Sequence, residues 1–291
     1  MLESGSPVLL DGAMGTELIR RGVDVSLPLW SAAVLETDPE CVLGIHREYV
    51  AAGARVLTAN TFRTTTRTFL NVTGDPGKAA LRARGATLKA VEVAKEAAGE
   101  AVFVAGSIAP LEDCYSPELF PGSEAAYEEF LQQGRWLVEG GVDLLLLETM
   151  VRLDEAEEAL KATRTLRCPR WISFVVRDES HLLGGDDLAQ AVRASEKLGA
   201  TAVLINCSNL ETTLRAAETL LSSSGGLAAG IYPNLGRSMP SKEGNIEAVT
   251  SMAEFLRGIH RAIDLGITIV GSCCGSRPEH TRNLRRVIDS L

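Results

Sequence analysis

The sequence holds no apolar run that approaches the roughly 18 residues a membrane-spanning helix needs, so no transmembrane anchor is expected. The first ten residues, MLESGSPVLL, lack the basic start and long apolar stretch of a secretory signal. A cytoplasmic location is the expectation that follows. Positive charge is not in surplus: 29 Lys and Arg stand against 38 Asp and Glu, a net charge of −9. With no excess cations to neutralise phosphates, neither nucleic acid nor an anionic membrane is an expected partner. No internal repeat and no low-complexity segment is found. The first apolar run leads into DGAMGTEL, which lacks the G-x-G-x-x-G spacing of a dinucleotide-binding open sheet. There is also no C-x-x-C pair, which argues against a structural zinc knuckle.

What is present is an ordinary globular composition, 45% hydrophobic and 23% charged over 291 residues, enough for a full core. The length fits two domains or one α/β barrel. Eight short apolar runs are bounded by turn residues: Pro7–Leu10, Arg55–Ala59, Val102–Gly106, Asp143–Leu147, Trp171–Val175, Ala202–Asn206, Ala228–Tyr232 and Ile267–Gly271. Several are apolar at nearly every position, the habit of parallel strands buried on both faces. Helical patterns lie between them, at Glu40–Ala52, Lys78–Ala98, Ser123–Glu139, Asp154–Leu166, Asp187–Leu198, Glu211–Ser222, Thr250–Leu265 and Pro278–Ser290. Asp154 and Asp186 are expected as N-caps and Pro278 in a first turn, with Gly53, Gly141, Gly199 and Gly266 just past helix ends. Eight strands alternating with about eight helices predict an α/β fold, a (β/α)8 TIM barrel, with residues 1–291 as a single domain. The one long irregular stretch, Pro110–Gly122, is expected to cover an active site.

In such a barrel the active site forms at the C-terminal ends of the strands. These ends carry Asp11-Gly12, Asn60-Thr61, Ser107, Glu148-Thr149, Asn206-Cys207, Pro233-Asn234 and Cys273-Cys274. Of six cysteines, Cys41 falls in an amphipathic helix, Cys114 in the long loop and Cys168 before strand five, where each is expected as filler. Strands six and eight end close together around a closed barrel, so Cys207, Cys273 and Cys274 could reach one ion. Three thiolates favour zinc and leave its fourth position open. Such an electron-rich site is poor at activating water. It suits holding a substrate thiol as thiolate, which points to alkyl transfer to a thiol. His46, His181, His260 and His280 fall in helices or a turn and are expected to be structural.

The segments DGAMGTEL, LWSAAVL, HREYVAAGA, TANTF, AGSIAP, LLLLETM, INC, IYPN and GSCCG together resemble the homocysteine S-methyltransferase family, in the family's order and across Asp11 to Gly275. The resemblance implies a (β/α)8 barrel that binds zinc through Cys207, Cys273 and Cys274 and methylates homocysteine to methionine. It places Glu148 on the homocysteine amino group and Asp11 facing the substrate. Backbone N–H groups at Gly12 and Ala13 are candidate partners of the substrate carboxylate. Asn60, Ser107, Trp30 and Asn234 complete the expected substrate-binding set, with Asn206 and Asn234 more suited to orienting loops or Cys207 than to reacting. Two departures stand out. Ser272 replaces a glycine of GGCCG, which would strain the zinc loop if that position needs positive φ. Ala109 replaces the glycine of GSIGP.

Family members differ chiefly in methyl donor. No folate or cobalamin module and no added C-terminal arm is expected, and Thr149 rather than an aromatic residue follows Glu148. The resemblance is closest to short members that use S-methylmethionine or S-adenosylmethionine. Trp30 could face the sulfonium of such a donor. The alternatives are another thiol or selenol acceptor, betaine as donor, or service to a separate corrinoid protein. A lyase using Glu148 or Asp11 as base, and a zinc- or thiol-binding protein without turnover, are the readings outside this class. The expected partners are homocysteine and a small donor, and a homo-oligomer is left open.

Overall fold

The computed structural model describes residues 5–237, 246 and 249–291. Its strands are β1 Val8–Leu9, β2 Val56–Ala59, β3 Phe103–Ile108, β4 Leu144–Met150, β5 Arg170–Phe174, β6 Ala202–Asn206, β7 Ala228–Tyr232 and β8 Ile269–Val270. Every pairing between them is parallel, in the order β1-β8-β7-β6-β5-β4-β3-β2. The barrel closes where Arg55 N donates to Leu9 O at 2.8 Å and Asp11 N to Val56 O at 3.0 Å. All eight expected strands are thus found, shifted by a few residues at their ends.

The helices are α1 Gly15–Arg20, α2 Val34–Thr37, α3 Pro39–Ala51, α4 Thr66–Thr73, α5 Pro76–Ala98, α6 Ser123–Gly140, α7 Leu153–Thr163, α8 Leu188–Lys197, α9 Leu210–Ser223, α10 Met252–Asp264 and α11 Pro278–Asp289. The short α1, α2 and α4 lie outside the sequence expectation. Two caps differ from it as well. α7 begins at Leu153, so Asp154 sits inside the first turn and pairs with Arg152 at 2.6 Å. Asp187 rather than Asp186 caps α8, accepting from Gln190 N at 2.6 Å. Asp186 accepts from Leu153 N at 2.8 Å and ties α7 to the next loop. Gly53, Gly141, Gly199 and Gly266 all take positive φ beyond helix ends, as expected. No helix among the described residues is long and apolar enough to cross a membrane.

Strand residues alternate between the helix layer and the barrel interior. The inward set Val8, Leu10, Val56, Ala105, Leu144, Leu146, Trp171, Ala202, Leu204 and Ile269 forms one apolar cluster. The next inward positions toward the C-terminal ends are Thr58, Ser107, Glu148, Ser173, Asn206 and Tyr232, and Cys273 follows just beyond β8. The interior therefore changes from hydrocarbon to hydrogen-bonding groups at one level of the barrel.

Candidate active site at the barrel rim

A cavity opens above that level. It is a half-open cleft whose wall mixes apolar side chains with a few converging polar groups. Asp11, Gly12, Ala13, Trp30, Asn60, Ser107, Glu148, Cys207, Cys273 and Cys274 all line it. Among the expected site residues Asn234 is the exception, because it stands behind the wall.

The three sulfurs of Cys207, Cys273 and Cys274 all lie within 4.8 Å of one another. The sequence reading takes them as ligands of one ion; here the sulfurs of Cys207 and Cys273 approach closely enough to pair, with Cα atoms 5.7 Å apart. Cys274 Sγ lies 3.9 Å from Cys273 Sγ. Burial first, and the Glu148 carboxylate second, push the Cys274 thiol up to about 12. The donor set fits a soft ion with tetrahedral preference, and these three residues would hold it.

Two carboxylates lie beside the sulfurs without a cationic partner among the described residues. Glu148 Oε1 accepts from Ser107 Oγ at 2.5 Å and Oε2 from Tyr232 OH at 3.3 Å. Its pKa is raised by burial, against the lowering effect of those two hydroxyls. Asp11 Oδ2 accepts from Thr58 N at 2.8 Å and Oδ1 from Thr58 Oγ1 at 3.0 Å. Burial pushes it up to about 8, with the charge of Glu148 adding to the rise. Neither residue is a rim carboxylate neutralised by Lys or Arg, nor a mere turn-former.

Backbone strain concentrates here. Among the described residues three non-glycine positions take positive φ: Trp30 (49°), Thr149 (62°) and Cys207 (49°). All three line the cavity. Such conformations cost on the order of 1–3 kcal/mol each and persist only where neighbours impose them. Asn206 imposes one: its Oδ1 accepts from Thr149 N at 3.1 Å and its Nδ2 donates to Thr149 Oγ1 at 2.9 Å. Asn234 Nδ2 donates to Cys207 O at 2.9 Å and so supports the second. Asn60 grips Ser31, next to Trp30, through bonds of 2.7 and 2.9 Å. The carboxamides thus set the backbone that presents Glu148, Cys207 and Trp30.

Gly12 has a steric reason to be glycine, because a Cβ there would meet Ser276 Oγ at 2.7 Å and the Tyr49 ring at 2.8 Å. Ala13 N donates to Ser276 Oγ at 3.0 Å, so that N–H, expected as a carboxylate ligand, already has a partner. Ser272 is absent from the positive-φ residues, which instead include Gly275 (83°). Serine therefore brings no left-handed strain to the loop. Ala109 is buried and does not reach the cavity wall.

The sequence reading missed Thr58, Tyr232 and Ser276, which partner the candidate residues, and the wall residues Phe62, Arg63 and Tyr115. Cys114, expected as filler, is buried and also lines the wall. None of the four histidines does. The parity of β2 and β7 could have singled out Thr58 and Tyr232, the residues inward of Val56 and Gly230.

A closed (β/α)8 barrel with three convergent sulfurs and two buried carboxylates at its C-terminal rim defines a thiol-rich, metal-competent active-site class. The family model for homocysteine S-methyltransferase matches residues 8–288, and the chain belongs to that family of methyl-transferring enzymes. A homocysteine S-methyltransferase of Escherichia coli is 30% identical over 304 residues, covering 96% of this chain and 94% of the relative. A selenocysteine Se-methyltransferase of Brassica oleracea is 26% identical, covering 98% and 89%. The crystal structure of the homocysteine methyltransferase MmuM from Escherichia coli in its metallated form superposes with a TM-score of 0.83 at 27% identity, covering 98% and 97%. Its oxidised form superposes with a TM-score of 0.84.

Proposed function

We propose that this enzyme is a zinc-dependent S-methyltransferase that moves a methyl group from a sulfonium donor, S-methylmethionine or S-adenosylmethionine, to the sulfur of homocysteine, giving methionine. The observation that carries this is the pair of buried, cation-free carboxylates, Asp11 and Glu148, beside three sulfurs. A thiol that also bears an ammonium group matches both halves of that arrangement. The ammonium restores the charged form that burial opposes in each carboxylate. Bound at Cys207, Cys273 and Cys274, zinc would supply the charge that keeps the acceptor thiol ionised at neutral pH.

The chain's own residues supply position. Ser107 and Tyr232 fix the Glu148 carboxylate, and Thr58 fixes that of Asp11. Asn206 and Asn234 hold the strained backbone on either side of β6. In the transfer, the acceptor sulfur forms a bond to the methyl carbon as the donor S–CH3 bond breaks in line. The bonding pair returns to the donor sulfur, which leaves as a neutral sulfide. No acid is needed for that departure, which fits a cavity without histidine. Trp30 and Phe62 stand edge to face in the wall, ring centroids 6.0 Å apart, and offer a polarizable surface to a sulfonium. Rate enhancement then comes mainly from proximity and alignment. Thiols stay reduced in the cytoplasm, which is the setting this reading requires.

The test is a methyl-transfer assay on reduced, zinc-loaded protein with homocysteine, offering S-methylmethionine, S-adenosylmethionine and betaine in turn. Methionine from a sulfonium donor is expected. Absence of methionine from every donor, with zinc bound, contradicts the proposal and redirects the search to a selenol acceptor or a corrinoid partner.

A further inference from the structure

One cation in the cavity wall has no role in the transfer described above. Arg63 follows Phe62 in the turn after β2. It is half-buried, whereas Asp11 and Glu148 are buried, so it stands toward the open side. Two contacts fix its side chain. Nη1 donates to Glu112 O at 3.3 Å, and the guanidinium carbon lies 5.8 Å from the Phe62 ring centroid.

Neither contact neutralises it. The Glu112 carboxylate is taken by Arg67 at 2.9 Å, and Arg67 also pairs with Glu129 at 2.5 Å. Asp113, in the same wall, accepts from Tyr115 N and Ser116 Oγ, each at 3.1 Å. Among the described residues Arg63 forms no ion pair.

A fixed guanidinium repels a sulfonium brought into the same cavity. A donor that carries its own anion offsets that repulsion. A guanidinium offers a planar fork that matches a carboxylate. The aromatic surface of Trp30 and Phe62 lies beside it for the onium end. We infer that Arg63 binds the carboxylate of the methyl donor, so that the site selects carboxylate-bearing onium donors over bare sulfonium cations. The inference rests on the proposed sulfonium-to-thiol transfer.

The test compares wild type with Arg63→Met and Arg63→Lys, zinc-loaded, using S-methylmethionine and the carboxylate-free trimethylsulfonium as donors. In Arg63→Met the ratio of kcat/KM for S-methylmethionine to kcat/KM for trimethylsulfonium is expected to fall by about 10-fold to 100-fold, the loss of one charge-assisted hydrogen-bonding partner. The change should fall on the donor KM. Arg63→Lys keeps the charge but not the fork and should fall between the two. An unchanged ratio overturns the inference, as does a rise confined to the KM of homocysteine, which would assign Arg63 to the acceptor. If wild type transfers from neither donor, the proposed function fails on its own. Calorimetric binding of S-methylmethionine then decides the inference. Weaker binding to Arg63→Met supports it, and equal or no binding to both proteins overturns it.

Discussion

Two levels of the same barrel differ by one step along each strand. Below, the inward residues Leu10, Ala105, Leu146, Leu204 and Ile269 form a hydrocarbon plug. Above, Thr58, Ser107, Glu148, Asn206 and Tyr232 occupy the next inward positions, with Cys273 just past β8. The lower level gains stability from burying apolar area. The upper level gives some of it back, through buried carboxylates and left-handed non-glycine residues. Stability and chemistry are thus separated vertically within one set of strands, and the boundary lies within two residues of each strand end.

A crossed pair of substitutions gives the largest contrast. Leu146→Ala should destabilise the protein by about 2–5 kcal/mol while leaving kcat per folded molecule near wild type. Glu148→Gln, two residues along the same strand, should leave stability nearly unchanged or raised. It should also lower kcat/KM for the acceptor by roughly 10-fold to 100-fold, through loss of a charge-assisted contact. Urea unfolding and steady-state kinetics on both variants check this. A large activity loss in folded Leu146→Ala would break the separation.

A smaller effect comes from pH. In the folded protein Asp11 holds its proton up to about 8, whereas its ordinary value is 3.8. Between those values the unfolded chain binds fewer protons at this site than the folded one, so stability falls as pH rises. Asp11→Asn removes that slope. In metal-free, reduced protein the variant should match wild type near pH 4 and exceed it by pH 8, by on the order of a few kcal/mol. Parallel stability profiles for the two proteins would show that the upper level carries no such burden.

Much of this division could be read from residues alone. Runs such as AVLIN and LLLLETM show where the apolar part of a buried strand gives way to polar side chains, although β4 itself continues to Met150. They placed Glu148, Cys207 and Cys273-Cys274 at the rim. Helix starts were less legible, since Asp186 and Asp187 are equally good caps in isolation and tertiary contact with Leu153 decides between them. The short α1 and α4 escaped notice because six or eight residues show too little periodicity. Partnerships such as Tyr232 with Glu148 or Asn206 with Thr149 depend on barrel closure, which brings together residues 84 and 57 positions apart.

The most direct test of the central claim, that three sulfurs from two strand ends form one metal site, is the zinc content of reduced protein and of single cysteine-to-serine variants. Wild type, Cys41→Ser and Cys168→Ser should each bind one zinc. Cys207→Ser, Cys273→Ser and Cys274→Ser should each lose tight binding and, with it, methyl transfer. Full zinc affinity in any of those last three, or its absence from reduced wild type, would contradict the account.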